Sequence, residues 1–398
     1  MRVSILGQGY VGLSLAIATG KAGHQVIGFD TNSKLVAQLN SKVSHVKSIS
    51  DQDLASAKNY FATDNANEID GSDVVIIAVP TPLTAERQPD LQYLLSACET
   101  IINSLKNKAL IINESTSFPG TLRDLIAKSI EQGTGLNHLY AASPERVDPG
   151  NPTWNQNNTP RLVAGLNDEA TTRAIEFYSS VCSHVVPVTT PEVAEAAKLF
   201  ENTFRQVNIA MVNELAQISH GLDIDVREVL AAAATKPFGF MKFNPSLGVG
   251  GHCIPVDPNY LSFAAENSGI EAAFINLANE INLEMPSYVA NRISNAVGGL
   301  TNKKVLVAGL SYKANVADLR ESPSLLLIDA LKVLGADVHW HDPLVSSFDG
   351  APVADLTSNT FDIAILAVAH EVIDKSALQN CASYIFDCTG TMSGVAGL

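Results

Sequence analysis

The chain has 398 residues, of which 46% are hydrophobic and 17% charged, and its formal net charge is −15. This length suits two or three domains with sizeable cores, and the composition excludes a fibrous or wholly disordered protein. The negative charge argues against a broad nucleic-acid-binding surface. No apolar run in the sequence approaches the roughly 18 residues that a membrane-spanning helix needs.

The first residues lack the charged, apolar and cleavage regions of a signal peptide. The five cysteines are scattered and show no paired metal-binding spacing. We therefore expect a cytoplasmic protein without a metal. In a reducing compartment, a functional cysteine is a thiol rather than half of a disulfide.

The N-terminal part alternates short apolar runs with helical stretches. Such runs are typical of strands buried on both faces of a parallel sheet, and the links between them are long enough for crossover helices. The predicted strands are 2–6, 25–29, 73–79, 109–113 and 138–142, followed by 161–165 and 184–188.

The character of the sequence changes after Pro191. An Ala-rich stretch predicts one long helix from Glu192 to about Gly221, because Pro191 suits a first helical turn and Gly often follows a last one. The next predicted segments are a helix at 225–234, a Gly/Pro-rich loop at 236–258 and a helix at 264–298. A second α/β unit follows, with strands at 304–310, 336–341, 361–369 and 384–386, and a helix from Ser322-Pro323 to Gly335.

This order predicts an α/β fold with two Rossmann-like, doubly wound domains joined by a central helical region that contains a long helix. The predicted domains are 1–190, 191–300 and 301–398. The two outer units resemble each other in plan, although the sequence shows no clear residue-level repeat between them.

A glycine motif follows the first strand and opens a helix: Gly7-Gln8-Gly9-Tyr10-Val11-Gly12. Gly7 suits a tight turn, Gly9 allows the backbone to approach a pyrophosphate, and Gly12 allows close packing of helix on sheet. Asp30 ends the next strand, where its charge favours NAD over NADP. A purely structural glycine turn and a loop carboxylate are the alternatives.

Other polar segments follow predicted strands, at the sheet edge where α/β proteins bind ligands. In Val79-Pro80-Thr81-Pro82, Thr81 is either a cofactor contact or part of a rigid turn. In segment 114–121, Thr116 is a candidate for orienting a water, and in 143–146 Glu145 is a candidate base or water-positioning group. Ordinary loop hydrogen bonding is the alternative for both.

A glycine-rich stretch at 248–258 contains Cys253 and His252. A nucleophilic cysteine needs a nearby cation or helix N-terminus, and Lys198 is a candidate cation. On the long helix, Lys198 shares a face with Glu195 and Asn202. The alternatives are an inert buried thiol, a solvated lysine and a packed histidine. A cysteine combined with an NAD site implies oxidation of an aldehyde to an acid through a thioester.

Together these residues resemble the UDP-glucose/GDP-mannose dehydrogenase family of nucleotide-sugar 6-dehydrogenases, over nearly the whole chain. The motifs that carry the resemblance are 7–12, 79–82, 115–121, 143–146, 195–202, 250–257 and 309–323. The resemblance implies a four-electron oxidation with two NAD⁺, in which a sugar C6 alcohol becomes an aldehyde, a cysteine thiohemiacetal, a thioester and finally a uronate.

The resemblance also implies a role for each matching residue. Cys253 is the nucleophile, Lys198 stabilises an oxyanion, and Asn202 holds the sugar. Asp257 and Thr116 handle protons and water, together with Glu145. The implied cofactor-binding residues are Gly7, Gly9, Tyr10, Val11, Gly12, Asp30, Pro80, Thr81, Ser115, Thr116 and Arg320. The implied substrate-binding residues are Glu145, Arg146, Lys198, Asn202, Phe243, Asn244, Ser246, Gly250 and Lys313.

The residues of the cysteine motif narrow the choice among possible UDP-sugar substrates. Val256 stands where UDP-glucose members usually have a basic residue, and segments 252–261 and 204–210 are similar to members that act on UDP-N-acetylhexosamines. UDP-N-acetylglucosamine is favoured, with UDP-N-acetylmannosamine close behind. The alternatives are a UDP-glucose 6-dehydrogenase and, more remotely, an inactive NAD- or nucleotide-sugar-binding protein.

The resemblance assigns NAD to domain 1–190 and the UDP-sugar to domain 301–398. The many small apolar residues of the long helix predict a homodimer or a higher homo-oligomer, with packing under the chain's own domains as the alternative.

Overall fold

The computed structural model describes residues 1–46, 49–147, 151, 153–251, 253–357 and 360–398. The chain divides into two compact units. Unit 1 comprises Met1–Glu201 and Asn259–Ile270, and unit 2 comprises Asn202–Pro258 and Glu271–Leu398. The domain boundaries predicted from the sequence stay a prediction.

Unit 1 contains an eight-stranded sheet of order β3-β2-β1-β4-β5-β6-β7-β8. Its strands are β1 (Arg2–Leu6), β2 (Gln25–Phe29), β3 (Tyr60–Thr63), β4 (Val74–Ile77), β5 (Leu110–Asn113), β6 (Leu139–Ala142), β7 (Arg161–Gly165) and β8 (Val185–Pro187). β1 to β6 pair in parallel, and most of their residues are buried, as their apolar runs predict.

Two features of this sheet were not predicted from the sequence. β7 pairs antiparallel to β6, because a parallel neighbour requires a crossover and the described part of the 143–160 link contains no helix. β3 was not predicted: it is an edge strand, and its residues alternate between buried and half-buried instead of forming an apolar run.

The helices of unit 1 cover both faces of the sheet with apolar side chains. They are α1 (Tyr10–Lys21), α2 (Ser33–Asn40), α3 (Asp51–Ser56), α4 (Gln92–Ser104), α5 (Lys128–Thr134) and α6 (Asp168–Val181). A π-helical turn, Thr121–Ala127, leads into α5.

The long helix α7 (Pro191–Gly221) begins and ends where the sequence predicts. It is followed by α8 (Val226–Ala233), α9 (Asp257–Asn267) and α10 (Ala273–Val297). The predicted continuous helix at 264–298 is therefore two helices. The chain breaks at Gly269, whose φ of +77° a right-handed helix does not accommodate. Among the described helices, none combines the length and the apolarity required to cross a bilayer.

Unit 2 contains a five-stranded parallel sheet of order β10-β9-β11-β12-β13. Its strands are β9 (Lys304–Ala308), β10 (Asp337–His341), β11 (Phe361–Leu366), β12 (Ala382–Asp387) and β13 (Ala396–Gly397). Helices α11 (Pro323–Val333) and α12 (Lys375–Asn380) connect some of them, and the Ser322 side chain caps α11.

The two sheets share a residue-level plan that the sequence did not reveal. Gly7 and Gly309 each follow the first strand of their sheet, with φ of +89° and +86°. Their N–H groups donate to the last residues of the neighbouring strands, β2 and β10, both at 2.9 Å. Asp30 and Asp342 come next after those strands, and each accepts from the N–H of the residue after the glycine, at 2.9 and 2.7 Å.

Candidate active site

The backbone of the glycine loop in unit 1 is free of close neighbours at one glycine, Gly9. A methyl group at Gly7 would lie 2.5 Å from the Ala78 carbonyl oxygen, and one at Gly12 would lie 1.8 Å from that of Gly7, so packing requires both glycines. A methyl group at Gly9 would meet nothing within 4 Å. Gly9 is the N-cap of α1 and supplies no side-chain cap, so this helix end presents backbone donors and a positive dipole. These features fit a pyrophosphate.

Asp30 is half-buried at the end of β2, beside this loop. One carboxylate oxygen accepts from the Gln8 N–H and the other from the Asn32 N–H, both at 2.9 Å. A carboxylate has about four lone-pair sites, so acceptor capacity remains for the two ribose hydroxyls of a dinucleotide. Both this carboxylate and the glycine loop therefore fit NAD.

The loop after β5 carries Ser115 and Thr116 and is held from two sides. The Ser115 hydroxyl donates to the Val79 carbonyl at 2.9 Å, which ties this loop to the one after β4. There Thr81 is buried and Pro80 is exposed. Thr116 is half-buried.

Glu195, in the second turn of α7, fixes the far end of the same loop. Its carboxylate accepts from the N–H groups of Gly120 and Leu122, at 2.8 and 3.0 Å, and from the Ser117 hydroxyl at 3.2 Å. Burial raises the pKa of Glu195 to about 7, although these hydrogen bonds lower it in part. Lys198 follows one turn later on α7 and is half-buried.

Glu145 belongs to a buried ionic cluster in unit 1. One oxygen accepts from the N–H groups of Arg146 and Val147, both at 2.7 Å. The other accepts from the Gln156 amide at 2.6 Å and from Arg161 at 3.2 Å. Burial raises the pKa of Glu145, but the Arg161 charge and these hydrogen bonds outweigh it, so the pKa is lowered overall.

Arg161, the first residue of β7, joins this cluster to Glu114, the residue after β5. Its guanidinium donates to Glu114 at 2.7 Å and lies over the Tyr178 ring, 4.7 Å from the centroid. The Tyr178 hydroxyl donates to the same Glu114 oxygen. Glu114 is fully buried, and burial raises its pKa against the opposing effect of Arg161. One cation thus faces two carboxylates.

Arg146 makes a structural contact instead of presenting its whole guanidinium to a ligand. It donates twice to the Glu201 carboxylate, at 2.6 and 3.1 Å, and once to the Pro160 carbonyl at 2.8 Å. These bonds tie the segment after β6 to α7.

In unit 2 the structure brings Asn202, Asp257 and Cys253 together. The Asn202 amide donates to the Asp257 carboxylate at 2.6 Å, and Asp257 is fully buried. The Asp257 N–H donates to the Cys253 carbonyl at 2.8 Å, so a single turn joins the cysteine to the start of α9. Cys253 is exposed, whereas the other four cysteines are buried. His252, a candidate base, lies outside the described residues.

The glycines before Cys253 allow two close backbone contacts. A methyl group at Gly248 would lie 2.4 Å from the Asn282 carbonyl oxygen, which Pro286 of α10 cannot bond because proline lacks an N–H. A methyl group at Gly250 would lie 2.7 Å from the Glu321 carbonyl oxygen. The cysteine loop is therefore fitted against α10 and the segment that precedes α11.

The same segment carries Arg320. Gly251 N–H donates to the Arg320 carbonyl at 3.1 Å, and the guanidinium forms an ion pair with Asp318 at 2.6 Å. The pKa of Arg320 is raised, first by this bond to Asp318 and also by the potentials of Tyr312 and Cys253. Arg320 thus lies within electrostatic range of the cysteine.

The predicted sugar-binding stretch precedes the cysteine loop. Phe243 packs edge-on against Phe204, with ring centroids 6.0 Å apart. The Ser246 N–H donates to the Asn213 side chain at 2.8 Å, and the Ser246 hydroxyl donates to the Gly248 carbonyl at 2.8 Å. Asn244 is exposed.

The sequence analysis did not identify the polar side chains that hold these loops in place. Arg161 and Tyr178 were not singled out, and Glu195 was noted for its helix face alone. A charged residue at the start of the apolar run 161–165 was a signal, since a buried arginine requires an acidic partner. The partner itself depends on strand order, which places β7 beside β6.

The Rossmann-like units and the open glycine loop are typical of dinucleotide-binding enzymes. The chain belongs to the UDP-glucose/GDP-mannose dehydrogenase family: the family's NAD binding domain matches residues 1–182, its central domain 192–284 and its UDP binding domain 306–393. It is an NAD-dependent UDP-sugar 6-dehydrogenase.

Relatives of two activities are similar to this chain. The UDP-N-acetyl-D-glucosamine 6-dehydrogenase of Pseudomonas aeruginosa is 34% identical, over 96% of this chain and 93% of the relative. The UDP-N-acetyl-D-mannosamine dehydrogenase of Pyrococcus horikoshii is 36% identical, over 87% of this chain and 84% of the relative. The solved structure of UDP-D-ManNAc dehydrogenase from Pyrococcus horikoshii matches with a TM-score of 0.91 and 31% identity, covering 100% of this chain and 99% of that one.

Asp30→Ala should weaken NAD⁺ binding and remove the disadvantage of NADP⁺. Losing hydrogen bonds from the ribose to a charged acceptor should cost about 1.5–3 kcal/mol of binding free energy. Calorimetric titration with both cofactors measures this, and Asp64→Ala, at an exposed position, is the control. Full NAD⁺ affinity with NADP⁺ still excluded would contradict the role of Asp30.

Glu195→Gln should flatten the dependence of stability on pH. Because the folded-state pKa of Glu195, about 7, exceeds its ordinary value of 4.5, the folded state binds the extra proton and the free energy of unfolding falls as pH rises between these values. The shift corresponds to roughly 2–4 kcal/mol. Urea midpoints at pH 5 and 8 should therefore differ less in the variant. Glu169→Gln, at an exposed ion pair with Lys108, is the control and should keep the wild-type slope.

Proposed function

We propose that the protein oxidises the C6 alcohol of a UDP-N-acetylhexosamine to the uronate, through a thioester on Cys253. The observation that carries this proposal is the exposed thiol of Cys253 at the end of a glycine-rich loop, beside the bonded pair Asn202 and Asp257. The other four cysteines are buried, and for each of them burial raises the pKa of the thiol.

The chemistry divides into four steps. The alcohol loses a hydride and a proton to give the aldehyde. The Cys253 sulfur adds to the aldehyde carbon, and the carbonyl oxygen takes a proton to give a thiohemiacetal. Loss of a second hydride and proton gives the thioester, and water then displaces the thiolate to leave the carboxylate. NAD⁺, when bound, accepts one hydride in each of the two oxidations.

The remaining residues of the site have roles that follow from their chemistry. Lys198 stabilises the oxyanions that form when sulfur and water add to the carbonyl carbon. Thr116 orients the attacking water on a loop that Glu195 fixes at its far end. Asn202, Asp257 and the 243–250 stretch hold the sugar.

We assign Glu145 a positioning role instead of the role of a base that abstracts a proton. Both of its oxygens already accept two hydrogen bonds, and its pKa is lowered, so it is a weak and fully engaged base. We assign it to the support of the substrate-facing segment 143–146 together with Arg146.

We assign the cofactor and the UDP part of the substrate to different predicted domains. Domain 1–190 holds NAD on its glycine loop, and domain 301–398 holds the UDP part near Lys313. UDP-N-acetylglucosamine is the favoured sugar, followed by UDP-N-acetylmannosamine. We assign the protein to the cytoplasm, because its five cysteines are all free thiols, as is typical of a reducing compartment.

A panel of UDP-sugars tests the substrate. NADH absorbance with UDP-N-acetylglucosamine, UDP-N-acetylmannosamine and UDP-glucose should give the highest kcat/KM for the first and two NADH per sugar consumed. A preference for UDP-glucose would support the alternative that the chain is a UDP-glucose 6-dehydrogenase. Binding of all three without NADH would support an inactive binding protein.

We also propose a homodimer formed by α7. Phe204, Met211 and Ile218 repeat every seven residues on this helix, and each is at least 43% exposed. A seven-residue spacing keeps them on one stripe of the helix surface. Exposed apolar stripes of this length are typical of protein–protein interfaces.

Met211→Lys combined with Ile218→Lys should dissociate the dimer, because burying two unpaired charges in an apolar interface costs several kcal/mol. Light scattering at micromolar concentration should give twice the chain mass for the wild type and the chain mass for the variant. Val333→Lys, at an exposed apolar position on α11, is the matched control. A monomeric wild type would contradict the proposed dimer.

A further inference from the structure

The loop at 309–315 in unit 2, which carries Lys313, is held at its first end by a buried carboxylate. This loop follows β9, and Asp342 follows the neighbouring strand β10. One oxygen of Asp342 accepts from the N–H groups of Leu310 and Ser311, at 2.7 and 3.2 Å, and from the Ser311 hydroxyl at 3.3 Å. The other accepts from the Leu344 N–H at 2.9 Å.

His370 holds the second end of the loop. It follows β11, the other neighbour of β9, and is fully buried. Its Nδ1 lies 2.8 Å from the Asn315 N, which is a donor, so Nδ1 is the acceptor and the ring proton is on Nε2. Nε2 donates to Asp342 at 3.1 Å. The Asn315 side chain in turn accepts from the Glu371 N–H at 2.9 Å.

The position of Asp342 corresponds to that of Asp30 in unit 1, but its use differs. Asp30 is half-buried and keeps acceptor capacity for a ribose. Asp342 has no exposed surface and accepts five hydrogen bonds, so a ribose hydroxyl cannot reach it. Within unit 2, this carboxylate therefore forms hydrogen bonds with the protein instead of with a ligand.

We propose that His370 is a positioning residue for substrate binding, which acts with Asp342 by fixing the 309–315 loop and so the backbone of Lys313. The inference rests on the proposed function, in which Lys313 binds the UDP part of the substrate. A loop bound at both ends loses little conformational entropy when its lysine binds a diphosphate, because that entropy was already lost on folding. If one end of the loop is released, binding has to order the loop again, and this loss of conformational entropy weakens binding of the nucleotide.

His370→Ala should raise the KM for the UDP-sugar and the Kd for UDP alone by roughly tenfold, while kcat and the KM for NAD⁺ change by less than about twofold. His370→Gln retains an amide donor and a carbonyl acceptor and should recover most of the affinity. The control is His339→Ala, because His339 forms an exposed pair with Asp337 on β10, 3.3 Å apart. It should leave UDP affinity unchanged.

Hydrogen exchange separates this inference from the proposed function. The amides of 310, 311 and 315 should exchange faster in His370→Ala than in the wild type. Unchanged exchange, or faster exchange with unchanged UDP affinity, would overturn the positioning role. If His370→Ala does not fold, Asn315→Ala removes the side-chain acceptor for the Glu371 N–H and places an alanine at a φ of +63°, and it should raise the KM in the same direction by a smaller factor. Wild-type UDP affinity in Lys313→Ala would instead show that the substrate was assigned to the wrong loop.

Discussion

Cys253→Ala should bind NAD⁺ and the UDP-sugar but lose steady formation of the uronate by at least ~1,000-fold. In the proposed mechanism the thiol traps the aldehyde and later leaves as a thiolate, and an alanine can do neither. The first oxidation does not require the sulfur, so a small burst of NADH can remain. The measurements are NADH formed per sugar consumed and the mass of the quenched enzyme, which should carry an adduct in the wild type and none in the alanine variant.

Cys253→Ser refines this prediction. A hydroxyl has a much higher pKa than a thiol, so it is both a poorer nucleophile and a poorer leaving group. The serine variant should therefore stop after the burst or accumulate a slowly hydrolysed ester. Cys381→Ala is the control, because Cys381 is buried and burial raises its pKa. Steady turnover of Cys253→Ala with two NADH per sugar would overturn the thioester mechanism.

The parts of the fold that depend on local patterns were predictable. Apolar runs predicted all the strands of the two sheets except β3 and β13, and Pro191 and Gly221 indicated the ends of α7. The glycine loop was predictable because packing requires Gly7 and Gly12 at fixed offsets from the first strand. The edge strand β3 was missed because its residues alternate between buried and half-buried instead of forming a buried run. The direction of β7 was missed because an apolar run does not indicate the direction of a strand.

The contacts of the candidate site join residues that are far apart in the sequence, so they were not predictable from spacing. Asn202 and Asp257 lie 55 residues apart, and Arg161 and Glu114 lie 47 apart. The resemblance to a known family supplied the first pair as separate site residues, although not their hydrogen bond. Arg161 had no such support, and its two carboxylate partners became evident when the sheet placed β7 beside β6.

Arg161→Met should strongly destabilise unit 1. The side chains of Arg161 and Glu114 are 5% and 0% exposed, and Glu145 is the second buried partner of the same guanidinium. Removing the cation leaves two carboxylates without their counter-charge, and breaking a buried pair in this way costs about 3–5 kcal/mol of the free energy of unfolding. Arg123→Met is the control: its pair with Glu192 is largely exposed and should be worth less than about 1 kcal/mol.

The stability of the Arg161→Met variant should also depend on pH in a characteristic direction. In the wild type the pKa of Glu145 is lowered with the help of the Arg161 charge, so the stability that this group contributes is lost as pH falls through its folded-state pKa. Without the cation, burial raises the pKa of both carboxyls, so the folded state takes up protons and the variant should gain stability as pH falls from 7 toward 5. Adding Glu114→Gln should recover part of the loss at pH 7, because one buried charge is removed. Urea midpoints at both pH values measure these effects. A variant that stays within about 1 kcal/mol of the wild type at pH 7 would show that the cluster is solvated and that Arg161 does not stabilise it.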